Sequence, residues 1–418
     1  MKLNFFIFLF FVFNQILPAP YLTVVGPICF PDGIGRQSIS IMECLKNDIE
    51  INFMSSRNTI NIEDVPSSIK SIIKNPSHVF GQIMIFEDTL DYFPSVLEHT
   101  PSSIKIAYTM YEKTQLPSEW VEILNSYFDA AIVPDEFLVD VYKNSGVIIP
   151  IFVLPLSLYL EPFLEIPAKT QANFPFIFGT SGMLSDRKNQ LLLLEAFEKT
   201  FGNSPDVKLK IHGRSGFEYA KRLKERIDQL KLTNVELIDR TFTWIEYIEF
   251  MASLDCFVSV SRGEGFSIPP REALALGIPC IISDNTGHQT LCKTGFVKAI
   301  PSYKLENVSI NKDYSSSSFR NNYYQLHEPY EFECSLNSVC LALKDTFFNF
   351  VHYLKEAIIG RKWASQFVHD ELKEKYLTLI KPKKVILGLS NKITNGSLIT
   401  DSKTLYEKYL QVINVQSP

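Results

Sequence analysis

The fold of this chain is decided by residues 262–277, which read Arg262-Gly263-Glu264-Gly265-Phe266-Ser267-Ile268-Pro269-Pro270-Arg271-Glu272-Ala273-Leu274-Ala275-Leu276-Gly277. Short apolar runs on either side, at residues 256–260 and 278–283, predict two buried strands. Proline is tolerated in a first helical turn and glycine commonly follows a helix end, so the stretch predicts a loop and a short helix. Such a strand–loop–helix–strand unit is typical of a parallel sheet, in which ligands bind beyond the carboxyl ends of the strands.

The stretch contains two carboxylates in different settings. Glu264 lies in the predicted loop, and Glu272 lies in what we predict to be the first helical turn. Taken alone, Glu272 could simply complement the helix dipole, and Glu264 could be solvated. The glycines on both sides of Glu264 also allow a ligand to approach the backbone closely.

Residues 264–279 follow the pattern Glu-Gly-Phe-Ser-x-Pro-x-x-Glu-Ala-x-Ala-x-Gly-x-Pro. This pattern resembles the donor-site signature of retaining GT-B glycosyltransferases, in particular glycosyltransferase family 4. The resemblance implies that Glu272 binds the ribose hydroxyls of a nucleotide sugar. It implies that Glu264, a catalytic candidate, lies beside the transferred sugar. The loop backbone that would contact sugar and phosphate belongs to Gly265, Phe266 and Ser267.

A second segment, residues 180–189, resembles the basic donor loop of the same family. Lys188 matches the family lysine that neutralises the diphosphate and is the second catalytic candidate, whereas Met183 replaces the family arginine. We expect Arg187 to supply the missing charge and to bind the donor. Two adjacent cations at a helix start, with only Asp186 as an acidic neighbour, are unfavourable unless an anion is held there.

The first part of the chain predicts a parallel, doubly wound sheet. Helical patterns alternate with strand-like runs at residues 21–26, 49–53, 79–86, 104–108 and 130–133. A Gly-rich turn at residues 33–35 lets backbone N–H groups approach phosphate, although a simple tight turn explains it equally well. By the resemblance, Gly35 lies near the donor phosphate. Tyr111 and Glu112 are then candidate acceptor contacts or ordinary surface residues.

These patterns predict a GT-B fold, an α/β architecture in which two Rossmann-like domains face each other across a cleft. The predicted parts are a signal-like or membrane-associating segment at residues 1–20, an acceptor domain at 21–155, a linker at 156–175, a nucleotide-sugar donor domain at 176–334, C-terminal helices at 335–380 and a tail at 381–418. The C-terminal helical patterns cover residues 335–350 and 351–376. The resemblance implies that the last helix crosses back to the first domain, and the proline-rich linker is expected at the hinge.

Composition bounds the function. The chain has 418 residues, of which 46% are hydrophobic and 21% charged, as is ordinary for a globular protein with two cores. A net charge of −5 offers no general attraction for nucleic acid. Seven cysteines without a C-x-x-C spacing favour buried thiols over disulfides or a zinc site. The resemblance implies a reaction without a metal ion or other cofactor.

The activity implied by the resemblance is transfer of a sugar from a nucleotide sugar to a glycan, lipid-linked or other acceptor, with retention at the anomeric carbon. Lys188 and loop N–H groups would stabilise the departing diphosphate. Two other classes remain open. Met183 suggests a non-catalytic relative that binds a sugar nucleotide or glycan. Another GT-B enzyme, such as a phosphorylase, would need a pyridoxal-phosphate lysine, and no matching motif is apparent.

The N-terminal segment, residues 1–20, places Lys2 before an apolar run at residues 5–13. The run is too short to span a bilayer comfortably, and Ala19 precedes a proline at the position where a signal would be cut. Three interpretations stay open: an uncleaved membrane-associating segment, a cleaved secretory signal, and a buried fold element or mis-assigned start. The first predicts a cytoplasmic protein with peripheral membrane contact.

We predict that residues 1–20 lie outside the catalytic fold and drive membrane association. A chain that starts at Tyr21 should fold and stay soluble, whereas part of the full chain should sediment with membranes. Fractionation and size-exclusion chromatography of both chains measure this. If the shorter chain aggregates while the full chain is soluble and monomeric, the segment belongs to the core instead.

Overall fold

The computed structural model describes residues 21–29, 32–60, 62, 65–76, 79–93, 97, 100–214, 217–305 and 330–380. The segments predicted at residues 1–20 and 381–418 lie outside these ranges. The described residues form two mainly parallel sheets, each covered by helices. Parallel strands buried on both faces need helices on both sides, which explains why the strand sequences are continuous apolar runs.

The first sheet has six parallel strands in the order β2-β1-β3-β4-β5-β6. Its strands are β1 Leu22–Ile28, β2 Ile51–Ile60, β3 Ile83–Phe86, β4 Ile104–Tyr108, β5 Ala130–Val133 and β6 Ile151–Val153. The helices of this part are α1 Gly33–Leu45, α2 Ser67–Lys74, α3 Ser118–Tyr127, α4 Phe137–Asn144 and α5 Glu161–Glu165. The strand order reverses between β1 and β3, so the loops after these strands border a crevice.

The second sheet has seven strands in the order β13-β12-β11-β10-β7-β8-β9, and only β13 is antiparallel to its neighbour. Its strands are β7 Phe176–Ser181, β8 Val207–Gly213, β9 Val235–Asp239, β10 Cys256–Ser259, β11 Cys280–Asp284, β12 Lys298–Leu305 and β13 Glu331–Cys334. The helices that follow are α6 Gln190–Phe201, α7 Phe217–Leu230, α8 Trp244–Ala252, α9 Ile268–Ala275, α10 Gln289–Cys292, α11 Leu336–Phe348, α12 Phe350–Ala364 and α13 His369–Ile380.

Several predicted element ends are wrong. The strand predicted at residues 49–53 runs from Ile51 to Ile60, and the strand predicted at 79–86 begins only at Ile83. Strand β2 is the outer strand of its sheet, where polar residues are tolerated, so hydrophobic patterning underestimates its length. The helix predicted at 351–376 is interrupted at residues 365–368, which separate α12 from α13.

Helix α13 packs against α1 of the first domain, so the end of the described chain returns to where the first sheet begins. The buried hydroxyl of Tyr376 accepts the N–H of Ser157 at 3.1 Å and donates to the carbonyl of Pro155 at 3.2 Å. It also lies 3.2 Å from the hydroxyl of Tyr108 at the end of β4. One side chain of α13 therefore joins the first sheet to the segment that links the domains.

All seven cysteines are free thiols: Cys44, Cys256, Cys280 and Cys334 are buried as expected, whereas Cys29, Cys292 and Cys340 are only partly buried. Among the described residues, no helix is both long and apolar enough to cross a bilayer.

We predict that Tyr376→Phe destabilises the fold. The substitution leaves the buried N–H of Ser157 without its acceptor, which costs about 1–3 kcal/mol. The control Tyr353→Phe removes a hydroxyl on α12 that donates to the partly exposed Asp345, where water can replace it, and should cost less than about 1 kcal/mol. Urea unfolding at pH 7 measures both variants. Equal effects would contradict a special role for the Tyr376 hydroxyl.

Candidate active site

The second sheet reverses its strand order between β7 and β10, because α6 leads from β7 to β8 while α9 leads from β10 to β11 in the opposite direction. A crevice opens beyond the carboxyl ends of the strands at such a point. It is bordered by the loops that follow β7 and β10, at residues 182–189 and 260–267. These loops contain most of the predicted donor-site residues.

The loop after β10 lies directly against the first domain. A Cβ atom on Gly263 would lie 2.1 Å from the carbonyl oxygen of Glu112, and one on Gly265 would lie 2.9 Å from the side chain of Met110. Glycine is therefore required at both positions for the loop to approach the other domain this closely. The structure explains these glycines by contact between domains, whereas the sequence suggested contact with a ligand.

Helix α9 begins at Ile268, and its N-cap residue Ser267 has a left-handed backbone with φ of 66°. Residues 269 and 270 are prolines in the first turn, as predicted. Gly277 has φ of 71° and follows the helix end, also as predicted. Glu272, however, lies beyond the first turn, so its predicted place there is wrong. The helix dipole consequently does not explain this carboxylate, since that effect is confined to the terminal turn.

Glu272 is almost fully buried and joins the two domains. It accepts from Nη1 of Arg36, on α1 of the first domain, at 2.5 Å. It also accepts from the hydroxyl of Tyr247, on α8, at 2.6 Å. Burial and the neighbouring charge of Glu272 raise the pKa of Tyr247 well above 10, so the hydroxyl keeps its proton and donates. The carboxylate is thus rigidly held, as a binding group must be.

Glu264 is the second buried carboxylate and pairs with cations of the neighbouring loop. Nζ of Lys188 lies 2.5 Å from one of its oxygens and Nη1 of Arg187 lies 3.4 Å from the other. Burial alone would raise the pKa of Glu264, but the charges of Lys188 and Arg187 outweigh it and hold this pKa well below its usual range. Burial lowers the pKa of Lys188, and Glu264 opposes that shift. Glu264 is therefore ionised at neutral pH and lies against two basic side chains.

The prediction that Asp186 is the acidic neighbour of Arg187 and Lys188 is wrong. Arg187 has acidic neighbours in Glu112 and Glu264, each at 3.4 Å, whereas Asp186 instead contacts Arg222. Helix α6 begins only at Gln190, so the cations precede it in a turn and do not oppose its dipole from within. Protein carboxylates, brought together by the fold, supply the anion that we expected from a ligand.

The remaining candidates have structural partners. Tyr111 packs edge-on against Trp120 at 5.2 Å, and Glu112 contacts Arg187 across the domain boundary. Gly35 lies inside α1, where a Cβ atom would fall 2.4 Å from the carbonyl oxygen of Cys29. Glycine at this position lets α1 pack onto the end of β1. Its proximity to a donor phosphate stays a prediction.

Comparison with known proteins bears on this arrangement. Residues 164–303 match the family model described as glycosyl transferases group 1. An uncharacterized glycosyltransferase of Methanocaldococcus jannaschii is 33% identical over 121 residues, which are 29% of this chain and 27% of that protein. The alignment therefore spans about a quarter of the length of this curated relative.

Solved structures extend the likeness over both domains. HepE of Anabaena, in complex with UDP and glucose, has a TM-score of 0.60 at 12% identity, covering 89% of this chain and 99% of that chain. A glycosyltransferase of Rickettsia africae has a TM-score of 0.58 at 15% identity, covering 86% and 98%. The pneumococcal O-GlcNAc transferase GtfA, in complex with UDP and GlcNAc, has a TM-score of 0.51 at 15% identity, covering 72% and 56%.

The fold is GT-B, and residues 164–303, mostly in the second domain, are similar to the group 1 glycosyl transferases. At these identities the solved structures bear on the fold alone.

A pocket of about 250 Å³ lies in the second domain, at the carboxyl ends of β8 and β9. It is lined by Arg214, Phe217, Asp239, Arg240 and Thr241. The ring of Phe217 is 90% exposed, so it stands open at the rim. Arg214 also reaches Asp32 of the first domain at 3.3 Å. The pocket therefore borders the same domain boundary as the two carboxylates.

The sequence missed several residues of this GT-B site. His288 is fully buried, with Nε2 2.8 Å from the Ser267 hydroxyl and Nδ1 3.1 Å from the Ser283 carbonyl. Burial lowers the pKa of His288 to about 4, so the ring is neutral and supports the loop after β10 by hydrogen bonds. Residues 33–35, predicted as a Gly-rich turn, are instead the first turn of α1, and Arg36 directly follows them and could have been noticed there. No local signal marks Tyr247.

The ion pairs of Glu264 should make stability depend on pH. The folded-state pKa lies below the unfolded value of about 4.3, so the stabilisation is present above that pH and declines as the pH falls toward the folded-state pKa. Glu264→Gln leaves Lys188 buried without its partner and should cost about 3 kcal/mol at pH 7. The difference in the free energy of unfolding between Glu264→Gln and the unmodified chain should become smaller below pH 4.3.

Urea unfolding at pH 7, 5 and 3.5 measures this difference. The control Glu195→Gln removes a partly exposed pair with Arg226 and should cost less than about 1 kcal/mol. A difference for Glu264→Gln that is the same at all three pH values would contradict the assignment of the stabilisation to its charge.

Proposed function

We propose that this chain is a retaining glycosyltransferase that transfers a sugar from a nucleoside-diphosphate sugar to a glycan, lipid-linked or other acceptor. The observation that carries the proposal is the pair of buried carboxylates at the crevice, Glu264 and Glu272, each held by partners from other elements. Both lie within the region that matches the group 1 family.

The donor diphosphate is proposed to bind beside Lys188 and Arg187. These cations lie together at the crevice and face Glu264 in the described conformation. A diphosphate would attract both, and positive charge in a buried site stabilises the negative charge that develops on a leaving diphosphate. This is the catalytic role proposed for Lys188. The cations supply this stabilisation from the protein itself, and the proposed reaction uses no metal ion.

The nucleoside is proposed to lie between Glu272 and the pocket at the ends of β8 and β9. A carboxylate offers about four acceptor positions, and Arg36 and Tyr247 use two of those on Glu272. Two positions remain for adjacent ribose hydroxyls. The exposed ring of Phe217 at the pocket rim offers an apolar face on which a base can stack.

The identity of the donor is proposed from the solved relatives. HepE is seen with UDP and glucose and GtfA with UDP and GlcNAc, so UDP-sugars are the first donors to test. The acceptor is proposed to enter from the first domain, where Tyr111 and Glu112 follow the carboxyl end of β4. Glu112 touches Arg187, so an acceptor bound there would lie close to the transferred sugar.

A second candidate is a non-catalytic relative that binds a sugar nucleotide. Two observations favour it. Met183 stands where the family has an arginine, and its side chain is 44% exposed without a charge to offer. The cations beside it are also already neutralised by Glu264 and Glu112. Binding without transfer would support this candidate.

We predict different effects for the two carboxylates. Glu272→Ala should weaken the binding of bare UDP and of the intact donor alike by about 1.5–3 kcal/mol, because it removes a charged hydrogen-bond acceptor. Glu264→Gln should leave the affinity for UDP nearly unchanged but lower the transfer rate, the pattern of an interaction made mainly in the transition state. Glu195→Gln, on the far side of α6, serves as the control and should change neither.

Calorimetry with UDP and GDP, followed by transfer assays with UDP- and GDP-sugars, measures these effects. The anomeric configuration of the product, read by NMR, tests retention. Normal UDP binding by Glu272→Ala, or wild-type transfer by Glu264→Gln, would remove the corresponding role. Absence of any nucleotide binding by the unmodified chain would overturn the proposed function itself.

A further inference from the structure

Arg271, the neighbour of Glu272 on α9, is completely buried, which is rare for a cation. Its Nη1 donates to the carbonyl oxygen of Phe266 and, at 2.8 Å, to that of Ser267. Its guanidinium also lies over the ring of Phe266, 3.6 Å from the centroid. The side chain therefore reaches back under the loop that follows β10, residues 260–267, and holds two consecutive peptide groups.

The geometry of a peptide group determines where the N–H groups of these two peptides point. In a trans peptide the C=O and N–H bonds point in opposite directions. The carbonyls of Phe266 and Ser267 belong to the same peptide groups as the N–H groups of Ser267 and Ile268. Because Arg271 draws both carbonyls inward, both N–H groups point away from it.

Both N–H groups belong to a segment that lies at the boundary between the domains. Ile268 meets the start of α1, since its Cδ1 atom lies 3.6 Å from where a Cβ atom on Gly33 would be. Among the described residues, no hydrogen bond uses the N–H of Ser267 or Ile268. The left-handed backbone of Ser267, followed by a helix start, creates a concave set of N–H groups that suits an anion.

The acidic partner of Arg271 behind this loop is not close. Its nearest acidic partner, Asp135 of the first domain, is 3.9 Å from Nη2, and Thr290 already donates to that carboxylate. The Nε and Nη2 atoms of Arg271 make no hydrogen bond. Burial lowers the pKa of Arg271 to about 10, so the group is still charged at neutral pH.

We propose that Arg271 is a positioning residue for the donor diphosphate: it turns the N–H groups of Ser267 and Ile268 toward the crevice and places a buried positive charge behind them. The proposal rests on the proposed function, because it presupposes that a nucleoside diphosphate binds at this loop. It assigns Arg271 no contact with the donor.

The test compares a ligand that carries the outer phosphate with one that lacks it. Calorimetry on the full chain gives the dissociation constants of UDP and UMP for the unmodified protein and for Arg271→Met, which keeps the length of the side chain but not its charge or donors. The dissociation constant of UMP divided by that of UDP should be about tenfold smaller for Arg271→Met than for the unmodified protein, which is the effect of one lost charged hydrogen bond. A partly unfolded sample affects both ligands alike, so a purely structural role leaves the ratio unchanged.

Two further variants control the measurement. Arg361→Met removes another arginine that donates to backbone carbonyls, those of Ala275 and Leu164, without touching the donor loop, and should leave the ratio within twofold. Arg271→Lys keeps the charge but has one nitrogen to offer, and should give an intermediate ratio. It also serves as the test if Arg271→Met does not fold.

The outcomes separate this proposal from the function on which it rests. If the unmodified chain binds UDP more tightly than UMP and the Arg271 variants keep the same ratio, the positioning role is wrong and the function stands. If the unmodified chain binds neither UDP nor GDP, the proposed function fails and this proposal fails with it.

Discussion

The burial of two carboxylates on one loop–helix unit constrains the rest of this structure. Glu264 and Glu272 are removed from water, and an uncompensated buried carboxylate would cost several kcal/mol. Each therefore needs partners, and neither finds them on its own element. Lys188 and Arg187 come from the loop after β7, and Arg36 comes from the other domain. The relative position of the domains is thus tied to the charge state of the crevice.

The domains contact each other both at the crevice and behind it. The second domain touches the first domain through Arg187 and Glu112, and through Arg214 and Asp32. Behind this contact, α13 returns to the first domain, and Tyr376 bonds to the segment that links the domains. The crevice contacts between the domains are thus ion pairs, whereas the contacts of Tyr376 join neutral groups.

The charges of the crevice have a consequence for any anionic ligand. Lys188 and Arg187 pair with protein carboxylates in the described conformation, so a diphosphate bound beside them would share these cations with Glu264. The site is already assembled and largely shielded from water, so its positive charges act on an anion more strongly than they would in water. The backbone of residues 265–268 and the buried charge of Arg271 are not neutralised in this way, so they are the parts of the site most readily available to an anion.

The sequence by itself determined the two-sheet architecture and the location of the site. Apolar runs separated by helical patterns specify buried parallel strands, and the spacing of Glu264, Glu272 and the prolines in a loop–helix unit marks the carboxyl edge of the second sheet. These features are local, because they depend on periodicity and on residues close in the chain. The elements could therefore be predicted, apart from ends such as that of β2, where an outer strand needs no apolar pattern.

Only the tertiary structure decided which side chains meet at the site. Arg36 lies far from Glu272 in the chain, yet the two form an ion pair, and Tyr247 completes it from a third element. The packing of its loop under Ser267 buries His288 and keeps it neutral. The supposed ligand glycines at 263 and 265 prove to be contact points between domains. Such contacts depend on how two sheets approach each other, and no pattern within a single segment of the chain records that approach.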